Sequence, residues 1–445
     1  MTRRGSARGD RRTWVVVGAG SAGCVVARRL LDAGDAVVLV ESGPSLLPGE
    51  VPAELSGLDS FAALVPERLH GDLVATRVAG RAPVPYLRGR GVGGSSAVNA
   101  MVALDADPAT YRSWGWDDVG EARSRVLLPV EAASPDELGV VDRALLAAAD
   151  DARPVPLNRH DGRRVTSAEA YLWPVLTEPG LIIRSDATVD VVTTDVHGRV
   201  DGVRLADGEV IASDHVVLCA GAIHSPAILL RSDLGIDGVG EHLQDHPAAA
   251  IALDLAHSGE ADDARGLAIG AVLERDPVQI LAVNHLGDRS PLAMLLVSHM
   301  RPRSATGTVR LRTSDPYDHP IVDFDLFTDP DDVAVLRGGV RLVLELLDRP
   351  PFRSIVERAY IDDVGTTIAA LDTDAAIDAW LLDRGADYVH ASGTCGMGRV
   401  VDAAGRVPPV PGLHVCDASV FPTIPDVNTH LPTTVLAERL VARWT

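Results

Sequence analysis

Residues 15–41 constrain the fold more than any other stretch. They read Val15-Val16-Val17-Gly18-Ala19-Gly20-Ser21-Ala22-Gly23, then a helix-period segment from Val25 to Leu31, then Ala36-Val37-Val38-Leu39-Val40-Glu41. An apolar β-branched run is a buried strand, and here it runs directly into Gly-x-Gly-x-x-Gly. A helix, a second apolar strand and a terminal acid follow at the spacing of a dinucleotide-binding βαβ unit. Gly18 allows the tight turn, Gly20 lets backbone approach a pyrophosphate, and Gly23 lets helix and strand pack closely. Ser21 and Ala22 open the helix, whose free N–H groups and dipole favour an anion. Glu41 is expected to accept from a ribose hydroxyl, and an acid there argues against a 2′-phosphate. The turn alone leaves the choice between NAD and FAD open.

A chain of 445 residues can bury a large core, here expected as two closely joined domains. Its net charge of −21 argues against nucleic-acid binding. The basic residues are all arginine, which excludes Schiff-base chemistry on a lysine. Cys24, Cys219, Cys395 and Cys416 form no Cys-x-x-Cys pair, so neither a zinc ribbon nor a dithiol centre is expected. Scattered cysteines in apolar motifs fit a reducing compartment, so the expected location is cytoplasmic. Residues 1–12 are Arg-rich and read as a loose tail. The apolar run behind them is a glycine-interrupted strand and does not resemble a secretion signal. No run is long enough to span a membrane.

The next informative stretch is Arg88-Gly89-Arg90-Gly91-Val92-Gly93-Gly94-Ser95-Ser96-Ala97-Val98-Asn99-Ala100-Met101. So many glycines and serines cannot pack a core, but they suit a loop that follows a flat or phosphorylated ligand. Together with the opening βαβ unit, Gly-Gly-Ser-Ser-x-x-Asn-x-Met resembles the glucose-methanol-choline (GMC) oxidoreductases, which are FAD flavoproteins. Further segments resemble that family in order. Thr166-Ser167-Ala168-Glu169-Ala170-Tyr171-Leu172 is one. Val216 to Pro226 reads as a strand, a turn at Gly221 and a Pro-started helix. Gly240-Glu241-His242-Leu243-Gln244-Asp245-His246 follows. His390-Ala391-Ser392-Gly393-Thr394-Cys395-Gly396-Met397-Gly398, Asp417-Ala418-Ser419 and Asn428-Thr429-His430-Leu431-Pro432 close the series.

The resemblance implies an α/β fold: a Rossmann-like FAD-binding domain and a second α+β substrate (cap) domain built on an antiparallel sheet. The expected boundaries are 13–235 together with 386–445 for the first, with substrate-side insertions near 105–160, and 236–385 for the second. Amphipathic helices are expected near 331–347 and 374–382, while strands within 247–296 are not legible. By resemblance, Gly93, Gly94, Ser95, Asn99, Ala100 and Met101 follow the cofactor, and the Val189 backbone contacts its adenine. Gly221, Asp417, Ala418, Thr429 and His430 lie beside it. Non-covalent FAD is expected, because Val98 stands where some relatives carry the attaching histidine.

The implied activity is oxidation of the CH–OH group of a small-molecule alcohol by hydride transfer to flavin N5, with oxygen or an electron carrier as acceptor. His390 is the implied base, and Asn428 shares the substrate hydroxyl. A non-redox FAD-containing lyase of the same fold and a non-catalytic flavin-binding protein are the alternatives. The short chain is also similar to the mycofactocin-associated members, which pass electrons to a carrier. Short stretches at 111–131 and 232–240 imply a thin cap and an open entrance, favouring dehydrogenase behaviour. His242 and His246 lie four apart but lack a third ligand in sequence, so no metal is expected; His224 and His299 read as structural.

Overall fold

The computed structural model describes residues 11–256, 266–287 and 290–445. Of the tail expected over residues 1–12, residues 1–10 lie outside the described residues. Five parallel strands form the first sheet, in the order Leu181–Arg184, Ala36–Val40, Thr13–Val17, His215–Leu218, Leu413–Val415. Four of the five residues in the central strand are buried, as a parallel strand covered on both faces requires. The ladder continues past the strand ends. Gly18 N donates to Val40 O at 2.7 Å and Cys219 N to Val17 O at 2.7 Å, which ties both following turns to the sheet.

Helices Ser21–Asp32, Gly221–Ser232 and His430–Val441 follow three of these strands. The first and last are clamped together by a fully buried carboxylate. Glu438 accepts from Arg29 Nε at 2.9 Å and from the Tyr171 hydroxyl at 3.0 Å. The middle helix departs from expectation, since it starts at Gly221 and carries Pro226 inside it. A proline there leaves the Ala222 carbonyl without its intrahelical donor. The Thr394 hydroxyl fills the gap, donating to Ala222 O at 2.7 Å.

The second layer is a six-stranded antiparallel sheet. Its order is Val356–Tyr360, Ala248–Leu255, Ala293–His299, Val278–Val283, Ala271–Arg275, Arg153–Pro154. Helix Pro330–Leu347 packs on it, started by Pro330 at its first position and by the Asp329 carboxylate accepting from Asp331 N. A Cβ on Gly339 would lie 2.8 Å from Val297 Cγ2, so this glycine sets how closely helix and sheet approach. Helix Asp374–Arg384 ends at Gly385, near where the apolar periodicity stops. The last sheet strand, Arg153–Pro154, comes from far outside the 236–385 segment. No described helix is long and apolar enough to cross a membrane.

Candidate active site

The glycine turn is built as its sequence requires. Gly18 adopts φ +98°, and a Cβ on Gly23 would stand 1.8 Å from the Gly18 carbonyl oxygen. Helix Ser21–Asp32 starts without a side-chain cap, so its first N–H groups are left for a ligand. The serine-glycine loop lies on this turn: a Cβ on Gly94 would lie 2.6 Å from Gly20 Cα. Glu41 is buried and staples the two loops together. Its carboxylate accepts from Ala19 N at 2.9 Å, Gly43 N at 3.0 Å and Gly91 N at 3.0 Å. Gly43 N and Gly91 N fill Oε1, so the second lone pair of Oε2 is the one left for a hydroxyl in the cavity.

A single cavity of about 720 Å³ runs from this turn to the antiparallel sheet. Gly18, Gly20, Ser21, Ala22, Glu41, Gly94, Ser95, Asn99, Ala100, Val189, Gly221, Asp417, Ala418, Thr429 and His430 border it together with His390 and Asn428. Three expected residues do not. Gly23 is consumed by its contact with Gly18. Gly93 is turned inward by a hydrogen bond from its N to Ala19 O at 2.8 Å. Met101 has its side chain in the core, 1% exposed, and its N donates to Asn99 Oδ1 at 3.0 Å. Asp417 is a scaffold for the wall, accepting from Gly221 N at 2.8 Å and the Ser225 hydroxyl at 2.6 Å.

His390 sits in a backbone held from several sides. Val389 has φ +55°, a conformation that a β-branched residue adopts only when its surroundings impose it. The Asp245 carboxylate imposes it. Its Oδ2 accepts from His390 N at 2.9 Å and from the Tyr86 hydroxyl at 2.7 Å, and its Oδ1 accepts from Tyr388 N at 3.2 Å. Burial, helped by the neighbouring Asp387 charge, raises Asp245 to about 7.

The imidazoles order one another. His246 Nε2 is 2.8 Å from the Pro425 carbonyl, which can only accept, so this nitrogen carries the proton. Burial lowers His246 to about 3 and keeps the ring neutral, so its Nδ1 is a lone pair. His390 Nδ1, 2.9 Å away, must therefore be the donor. Burial and then His246 push His390 well below the ordinary imidazole range. The result is a neutral His390 whose Nε2 lone pair is left for a group in the cavity. Motif reading did not assign this part to His246 or Asp245, although both stand in the Gly-x-x-Leu-x-Asp-His segment. Nor did it find Arg164, a fully buried guanidinium that donates to Asn99 Oδ1 at 2.9 Å.

Two family models cover most of the chain. The N-terminal GMC oxidoreductase model matches residues 13–152 and 154–248, and the C-terminal one residues 302–437. The chain belongs to the GMC oxidoreductase family. It is an FAD-dependent oxidoreductase acting on CH–OH or similar donors. The 5-(hydroxymethyl)furfural oxidase of Methylovorus sp. is 30% identical, over 96% of this chain and 97% of its own length. That alignment spans 521 positions against the 445 residues here, so this GMC protein is the shorter of the two. Choline oxidase of Arthrobacter globiformis is 26% identical, covering 96% of this chain and 93% of that one. The solved pyridoxine 4-oxidase from Mesorbium loti superposes with a TM-score of 0.87 at 22% identity, covering 98% and 99% of the two chains. It carries the same fold.

The residues present fit an FAD. The cavity joins a glycine turn to a second helix start, His430–Val441, which also lacks a side-chain cap. Two buried polar atoms at that helix start, Asn428 Oδ1 and His430 Nε2, have no partner among the described residues. Buried polar atoms without partners are costly, and a polar ligand edge would satisfy these two. His430 is fixed by Ser21 Oγ at 3.0 Å from its Nδ1, so the two helix starts are joined across the cavity. Burial lowers His430 to about 4, which makes it a neutral group.

Proposed function

We propose that this enzyme oxidises the carbinol of an uncharged alcohol bearing an apolar substituent, with His390 and Asn428 acting on the hydroxyl. The ordered pair His246–His390 carries this reading. An FAD held between the Gly18–Gly20 turn, the Gly94–Ser95 loop and the His430 helix start supplies the hydride acceptor. His390 Nε2 takes the hydroxyl proton as the carbonyl forms. A neutral ring is the competent state for this, and burial keeps it neutral without a change in pH. Asn428 offers an amide that can donate to the same oxygen. The free N–H groups at the His430 helix start provide a positive dipole end for charge that develops nearby.

The substrate class is supported by the apolar share of the cavity lining. Leu281 and Leu296 from the antiparallel sheet line it with Ile269, Val102 and Phe61. Asp387, the acid beside His390, is engaged by Arg77. A quaternary ammonium such as choline would need a free carboxylate or an aromatic cage. Anaerobic mixing with a panel of alcohols tests the proposal. Aromatic and medium-chain primary alcohols should bleach the flavin, and choline should not. Bleaching by choline alone, or by no alcohol, would count against it. We also propose that the FAD is non-covalent, since Val98 borders the cavity without a nucleophile. Acid precipitation should leave a colourless pellet and a yellow supernatant; a yellow pellet would refute this.

A further inference from the structure

Three histidines that the alcohol chemistry does not use meet at the rim of the same cavity. His70 lies in the loop before the Val74–Ala75 strand, His224 in the first turn of helix Gly221–Ser232, and His319 in the turn before the Ile321–Asp323 strand. One ring nitrogen from each lies within 4.8 Å of the others. His224 Nε2 and His319 Nδ1 are 3.2 Å apart. Ring centroids are separated by 4.5, 5.2 and 5.3 Å in the three pairs. Tetrahedral ligation at zinc–nitrogen distances of about 2.0–2.1 Å places ligand nitrogens about 3.3–3.4 Å apart and imidazole centres about 5 Å apart. The three rings already stand at that spacing.

The outer partner is also in place. The Asp72 carboxylate lies 3.0 Å from His319 Nε2. It can only accept when ionised, so His319 Nε2 carries the proton and Nδ1 turns its lone pair toward the other two rings. A carboxylate behind a ligating imidazole is the usual way to fix tautomer and ring orientation at a metal. We propose that His70, His224 and His319 form a binding site for one divalent cation of the zinc type, with Asp72 as its outer partner and a fourth position open to water. Three imidazoles and no thiolate select borderline metals and exclude calcium or magnesium. Metal there would cross-link three segments that are distant in sequence and that border the cavity together. No step of alcohol oxidation depends on it.

The test uses tag-free, FAD-loaded protein, cleared of metal by a chelator and titrated with Co²⁺. One equivalent should bind, with ligand-field bands in the red, clear of the flavin, that disappear on adding Zn²⁺. His319→Ala should weaken Co²⁺ binding by at least about 100-fold, as loss of one of three ligands demands. Asp72→Asn should weaken it by about 10–100-fold. Asp72 is solvent-exposed, so this variant keeps its fold even where a histidine variant does not. Absence of saturable binding to the holoenzyme would overturn the proposal. So would Co²⁺ affinity unchanged in both His319→Ala and Asp72→Asn.

Discussion

His390 owes its protonation pattern to His246, a residue 144 positions earlier in the chain. Removing the proposed base should expose its contribution directly. His390→Ala is expected to slow anaerobic flavin reduction by about 10²–10⁴-fold while FAD content stays near normal. Asn428→Ala should be milder and should not add fully to it, since in the proposed mechanism both groups act on one oxygen. Stopped-flow reduction of the holo variants measures this; a wild-type rate in His390→Ala, where chemistry limits, would remove it from the mechanism. At this scale the sequence was legible only in part. His390 and Asn428 stand in recognisable C-terminal motifs, yet nothing in a string of letters states which nitrogen of His390 is free. That depends on the Pro425 carbonyl accepting from the far side of His246, a relation made only by folding. Glu41 likewise reads as a ribose acceptor, while its three backbone N–H partners come from loops on either side of it.

The contact between the glycine turn and the Gly94 loop belongs to the scale of elements. Gly94 combines φ +51° with an absent Cβ that would meet Gly20 Cα. Gly94→Ala should force the loop away from the turn, at about 1–3 kcal/mol. The expected result is a lower flavin-to-protein absorbance ratio together with a lower melting temperature; an unchanged ratio would contradict the close approach. The parallel sheet was readable because its strands are short continuous apolar runs bounded by glycine. The antiparallel sheet within 247–296 was not. Strand Val278–Val283 has its last five residues buried, so the alternation that marks a half-exposed strand is erased. One face lies under helix Pro330–Leu347 and the other looks into the cavity through Leu281. Helix Gly221–Ser232 shows a different loss of legibility. Pro226 reads as a helix start, and the hydroxyl that lets the helix begin five residues earlier comes from Thr394.

For the whole molecule, buried neutral imidazoles set the response to acid. His246 is lowered to about 3 and His414 and His430 to about 4, each by burial first, from an ordinary value of 6.5. Between those values the unfolded chain binds protons that the folded one refuses. The contribution of these rings is therefore complete above about pH 6.5 and is lost as pH falls toward 4, at about 1.4 kcal/mol per pH unit for each ring, with Asp245, raised to about 7, offsetting part of it. Urea midpoints of the holoenzyme should drop steeply across that window. A midpoint that stays flat would mean that these rings accept protons without unfolding. The two halves of the nucleotide site meet late. Ser21 and His430, 409 residues apart, join across the cavity, and Arg29 reaches Glu438 over the same separation. During synthesis the first helix leaves the ribosome long before its partner exists. Its glycine turn must wait until the residues around 430 have been made, so flavin loading follows the synthesis of both helix starts, and any stall before residue 430 yields a chain with no colour.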